Sequence, residues 1–228
     1  MDKPDFHGNR DTGFLKTIAF ITMMADHVGY LFFPDEMLWR YVGRIAFPLF
    51  AYCCALGAYY TKDIKKYIFR IFILGVVTQP FYTLCFFPQD ISAFPKGFHL
   101  NVCFTLCLGI AAVCGLKKQK YVYTAAALLL SFVPNFEYGI YGAGFIVLIY
   151  ILAKQEKTFF FTAMGIWLFS PAFGAFFGGY FDPQCLAVFS LIFICIKTNS
   201  KIKLARIINY GFYPLHIILL LLLKIIIL

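Results

Sequence analysis

The 228-residue chain is 61% hydrophobic and only 14% charged, with a mean hydropathy of +0.78, more apolar side chain than a single soluble core of this size could hide. The apolar residues fall in helix-length blocks separated by short basic breaks and lack period-2 alternation, which predicts an all-α, polytopic membrane protein rather than a barrel. A net charge of +9 would suggest nucleic acid for a soluble protein, but cytoplasmic loops of membrane proteins collect Lys and Arg, so no nucleic-acid partner is expected.

The blocks predict about nine spans (range eight to ten) at 14–33, 39–60, 67–87, 98–116, 121–134, 138–153, 158–178, 184–196 and 207–227, forming one domain over residues 1–228. Residues 1–13 carry mixed charge and no small-residue cleavage site follows the first apolar run, so no signal peptide is read and the first helix is expected to be retained. That helix holds Lys16, Asp26 and His27. Lys16 and His27 are three turns apart on one face, about 16 Å along the axis. The chain then turns at Phe33-Pro34-Asp35-Glu36, and Arg44 follows in the next span at a depth similar to that of Asp26 and His27. Lys65 and Lys66 stand just before span three, which carries Arg70 near its start and Gln79-Pro80 in its other half. Span four begins near His99 and Asn101. The fifth, sixth and eighth spans are short for a full crossing of about 20 residues. Pro171 and the run Gly174–Gly179 are expected to break the seventh. His216 lies near the middle of the last.

With the N-terminus cytoplasmic, this threading leaves only Arg40, Arg44, Lys96 and Lys224 of the twenty basic residues in the outer half; short loops so biased set orientation. The C-terminus then lies outside. The bilayer and its anionic lipids are expected partners. The eight cysteines show no CxxC or Cys/His spacing, so they read as small apolar residues and no metal is expected.

Ionisable side chains deep in an apolar helix are costly and mark function by default. Asp26, His27 and Arg44 therefore form the candidate site. Helix neighbours point about 100° apart, so Asp26 is expected to pair with Arg44, leaving His27 to face a cavity alone or with His216. Gln79 and Asn101 read first as helix–helix hydrogen-bonding groups and second as candidates to bind substrate or an oxyanion, a set that includes His216. For Lys16, Lys65, Lys66 and Arg70, positive-inside topology competes with a role in binding an anionic ligand.

Several motifs occur in order: Lys16-x9-Asp26-His27-x-Gly29, Gly43-Arg44-x-Ala-Phe-Pro48-x-Phe50, Gln79-Pro80-Phe-Tyr82, Asn101-Val-x-Phe-Thr-Leu-x-Leu-Gly109, Tyr138-Gly-Ile-Tyr-Gly142 and Phe212-Tyr-Pro-Leu-His216. Together they resemble the TraX family over residues 14–220. That family is named for the membrane acetyltransferase of F-type pilin and is similar to multi-span acyltransferases. In those, a basic residue stands ten intervening positions before a catalytic histidine; Lys16 and His27 match, with Lys where Arg is usual, which loses the planar fork.

The resemblance implies a cell-membrane enzyme, bacterial inner-membrane in location. It would transfer an acetyl or other acyl group from cytosolic acetyl-CoA to an amine or hydroxyl of an extracytoplasmic peptide or glycan. Lys16, Lys65, Lys66 and Arg70 would receive the donor. His27 would act as general base or as acyl carrier, with Asp26 and Arg44 holding the site. The alternative is a proton-coupled transporter with an Asp26/His27/His216 relay.

Overall fold

The computed structural model describes residues 6–93, 98–133, 135–178, 182–202 and 204–227, and among them the chain is helical, with a single isolated bridge, Leu100 to Phe136, in place of any sheet. Lys3, Lys96, Gly179 and Lys203 of the sequence reading lie outside the described residues. The helices are α1 Thr12–Phe32, α2 Met37–Gly43, α3 Ala46–Tyr60, α4 Ile64–Phe86, α5 Asp90–Ala93, α6 Val102–Lys117, α7 Tyr121–Leu130, α8 Gly139–Leu152, α9 Lys157–Phe169, α10 Pro171–Gly178, α11 Ser190–Cys195 and α12 Arg206–Ile227; a 3₁₀ segment, Pro183–Phe189, precedes α11.

The expected apolar blocks coincide with these elements. Among the described residues three helices are long and apolar enough to cross a membrane, Met37–Tyr60, Ile64–Phe86 and Ile208–Ile227, and four further apolar helices are shorter. The first of the three is interrupted once, where α2 ends at Gly43 and α3 begins at Ala46. The Arg44 backbone N–H still reaches the Arg40 carbonyl at 3.3 Å, and Pro48 falls in the first turn of α3, where a missing N–H costs nothing. The seventh block is broken as expected, between Phe169 and Pro171. Large apolar side chains stay exposed along α4, α7 and α12, among them Phe69, Val122 and Ile226. A water-soluble protein avoids such a surface; a bilayer solvates it.

The chain gathers into two compact units, Met1–Leu56 with Leu148–Lys203, and Gly57–Val147 with Leu204–Leu228. In the first, α1 packs on α2, and α9, α10 and α11 pack around the 3₁₀ segment, which also meets α2. The segment before α1 is tied down. Asn9, fully buried, takes the Ile194 carbonyl through its backbone N–H at 2.7 Å and donates its amide to Thr198 Oγ1 at 2.9 Å. Asp11 then caps α1 by accepting from the Phe14 N–H at 3.0 Å. Phe6, Tyr52 and Phe160 meet edge to face in the core.

In the second unit α4 packs on α6 and α12, and α6 on α7. Asp63 caps α4 by accepting from the exposed Lys66 N–H at 3.1 Å, a bond that holds its carboxyl below the ordinary value. Asn101 caps α6 by accepting from the Cys103 N–H at 3.1 Å.

Candidate functional site

In the first unit the site is built by the α1–α2 hairpin. Residue Phe33, ahead of Pro34, is biased away from helix, and α1 ends there. Trp39 stacks on Phe33 with ring centroids 5.6 Å apart and donates its indole N–H to Glu36 Oε2 at 3.0 Å, closing the corner. The two helices then touch through glycines. Any Cβ at Gly29 would strike the Trp39 side chain, and one at Gly43 would strike the Asp26 carboxylate. Close backbone approach of this kind is how helices pack where lipid replaces water.

That approach places Asp26 among cations. Arg44 donates Nη2–H to Asp26 Oδ1 and Arg40 donates Nη1–H to Asp26 Oδ2, both at 2.8 Å. Side-chain exposure is 14% for Asp26, 15% for Arg44 and 30% for Arg40. The expected pair of Asp26 and Arg44 is therefore present, and each carboxylate oxygen has its own guanidinium. Arg44 is held further by its Nε–H to the Arg40 carbonyl at 3.2 Å, and its Nη1–H donates to Gln184 Oε1 at 3.2 Å. Arg40 also lies over the Tyr30 ring at 5.1 Å. Two guanidiniums thus meet on one carboxylate in a half-buried place, and such donors suit an anion or an oxygen gaining charge during reaction. His27 follows Asp26 on α1, half-buried, and Lys16 lies three turns earlier, also half-buried.

Sequence reading missed Arg40 and Gln184. Arg40 carried a signal, because it stands four residues before Arg44 and so shares its helix face. Gln184 lies 140 residues from Arg44 and carried none.

In the second unit, Lys65, Lys66 and Arg70 are exposed along the first two turns of α4. Lys66 lies 3.4 Å from Asp63, an exposed ion pair of little energetic weight. Lys65 lines a cavity of about 280 Å³ with Lys118 and Lys120. Gln79 and Asn101 join α4 to the start of α6. Asn101 donates Nδ2–H to Gln79 Oε1 at 2.8 Å and to the Gly75 carbonyl at 2.9 Å. Gln79 donates Nε2–H to the His99 carbonyl at 2.7 Å and to Thr83 Oγ1 at 3.1 Å. Both amides are thereby engaged as helix–helix bridges, the first of the two roles read from the sequence. His216 is buried on α12, its Nδ1 2.9 Å from the Phe212 carbonyl and its ring stacked on Phe212.

A further pair stands outside the predicted set. His99 Nδ1 lies 2.8 Å from Asp90 Oδ2, and the same oxygen accepts from the His99 backbone N–H at 2.9 Å. Burial alone would raise the Asp90 carboxyl, but these two bonds and the imidazole's charge outweigh it and hold the carboxyl below its ordinary value. Asp90 also lines a cavity of about 610 Å³ walled by Val76, Leu84, Ile91 and Phe104.

Comparison with known proteins bears on which chemistry these residues serve. The profile of the family described as TraX protein matches residues 11–224. A probable fimbrial assembly protein FimC, serogroup H1, of Dichelobacter nodosus is 29% identical over 90% of this chain and 92% of its own. Protein TraX of Escherichia coli is 29% identical over 65% of this chain and 58% of its own, and the uncharacterized protein RP591 of Rickettsia prowazekii is 33% identical over 53% and 40%. The chain thus spans nearly all of the first relative and about half of the other two. No solved structure matches it significantly. The match runs through α1, the α1–α2 hairpin and α12 alike, and the chain belongs to the TraX family.

Proposed function

We propose that this protein is a polytopic membrane acyltransferase with a cytoplasmic N-terminus, moving an acetyl or other acyl group from cytosolic acetyl-CoA to an amine or hydroxyl of an extracytoplasmic acceptor, a peptide N-terminus or a cell-surface glycan. The observation that carries this reading is the Asp26 carboxylate gripped by Arg40 and Arg44 beside His27 on an apolar helix. Membership in a family whose named relatives include Protein TraX and a fimbrial assembly protein supports it.

His27 is the group for the reaction: it takes the acceptor's proton as the acceptor attacks the thioester carbonyl, or it takes the acyl group first and passes it on. Asp26 holds the two arginines, and their guanidinium donors favour the oxyanion that either route forms. Lys65, Lys66 and Arg70 receive the donor's phosphates. The enzyme would sit in the bacterial inner membrane.

The test is thiol release from acetyl-CoA by the purified protein in detergent or vesicles, with and without a peptide amine or a glycan hydroxyl. Release that rises with one acceptor class supports the reading and names the acceptor. No release with any acyl-CoA and either acceptor overturns it.

A further inference from the structure

Gln184 presents one buried group that the site as described does not use. It stands second in the 3₁₀ segment Pro183–Phe189, its own backbone N–H donating to the Asp182 carboxylate at 2.8 Å. Its Oε1 accepts from Arg44 Nη1 at 3.2 Å. A guanidinium has only donors, so the amide oxygen must face Arg44 and the amide nitrogen must face away; the flipped amide would set donor against donor. The orientation is therefore fixed by chemistry. Nε2 is buried, and among the described residues it has no hydrogen-bond partner.

A buried amide N–H without an acceptor costs of order 1–3 kcal/mol, and each such group in a folded protein calls for an explanation. The bond from Arg44 accounts for the amide oxygen but not for the donor beside it. A donor held ready for an oxygen that arrives with substrate does explain it. Gln184 also belongs to the Asp26 cluster, since it is bound to Arg44 and Arg44 to Asp26.

We propose that Gln184 Nε2 is an oxyanion donor of the acyl-transfer reaction, an inference that rests on the function proposed above. When a nucleophile adds to the thioester carbonyl carbon, the carbonyl π pair moves onto oxygen. Collapse of that intermediate restores the carbonyl and breaks the C–S bond, and the thiolate leaves to take up a proton. Gln184 transfers no proton; its N–H shortens onto the oxygen as charge builds and relaxes as the charge is lost. The role is the same whether the nucleophile is the acceptor or His27, because both additions form an oxyanion.

Two substitutions separate this role from a structural one. Gln184→Glu keeps an oxygen for Arg44 and removes the donor; Gln184→Met removes both. Each is compared with the unaltered protein for thermal unfolding in detergent, for binding of a non-transferable thioether analogue of acetyl-CoA, and for kcat and KM of transfer. Loss of one oxyanion donor lowers kcat by about 10²–10³-fold, so both variants are expected to lose about 100-fold or more in kcat. KM and analogue binding should stay within about threefold; Gln184→Met, which leaves Arg44 without this acceptor, is expected to unfold at a lower temperature, and Gln184→Glu is not. Near-normal transfer by either Gln184→Glu or Gln184→Met overturns the inference. A loss confined to KM, or failure of both variants to fold, overturns it too. Absence of transfer by the unaltered protein overturns the functional reading and this inference with it, whereas normal transfer by Gln184→Glu overturns the inference alone.

Discussion

Asp26 sits between two guanidiniums, so the consequences of removing it differ from those of removing either arginine. Asp26→Asn leaves Arg40 and Arg44 facing one another with their shared counter-charge gone. Arg44→Gln leaves Asp26 paired with Arg40 at 2.8 Å. Breaking a buried pair costs 3–5 kcal/mol, and with these side chains 14–30% exposed we expect Asp26→Asn to lose about 2–3 kcal/mol and Arg44→Gln less. Thermal unfolding of the two variants in the same detergent checks the order, and a more stable Asp26→Asn contradicts it. The pairing of Asp26 with Arg44 was legible in the sequence because Pro34 fixes the turn between them. Its second half was not: Arg40 entered the sequence reading only as one of the four basic residues in the outer half, although its four-residue spacing from Arg44 was there to use. Gln184 was beyond reach, since only the folded chain brings it to α2.

Helices α1 and α2 can place that carboxylate only because residue 43 has no side chain. Gly43→Ala sets a methyl group against Asp26, and because the obstacle is a short, doubly bonded side chain, the helices must part. Overpacking of this kind costs about 1–3 kcal/mol. We therefore expect Gly43→Ala to unfold at a lower temperature and to lose transfer activity together with it, and unchanged stability would show that the hairpin tolerates a wider spacing. Most elements were readable from apolar block length, and Pro171 marked the break after α9. The interruption at Arg44 and the 3₁₀ segment at Pro183–Phe189 were not readable. The first is a single skipped turn inside a continuous apolar run, and the second has the composition of a helix but coils more tightly once Asp182 caps its start.

At the scale of the molecule, the three helices of membrane-crossing length among the described residues, with exposed apolar side chains on α4, α7 and α12, set the environment. Orientation comes from charge. With the native cysteines replaced, single cysteines at the exposed positions Lys118 and Gln89 are expected to react with an impermeant maleimide from the cytoplasmic and the outer side respectively; the reverse pattern would place the basic ends of α4 and α6 away from a cytosolic donor. The proposed acyl transfer runs through His27, and removing that side chain is the sharpest test of it. Purified unaltered protein and His27→Ala are assayed for acceptor-dependent thiol release from acetyl-CoA, with thermal unfolding recorded on the same preparations. We expect a folded His27→Ala protein whose rate is lower by at least ~10²-fold, the lower range for a positioned proton-transfer group. Near-normal transfer by folded His27→Ala would contradict the account.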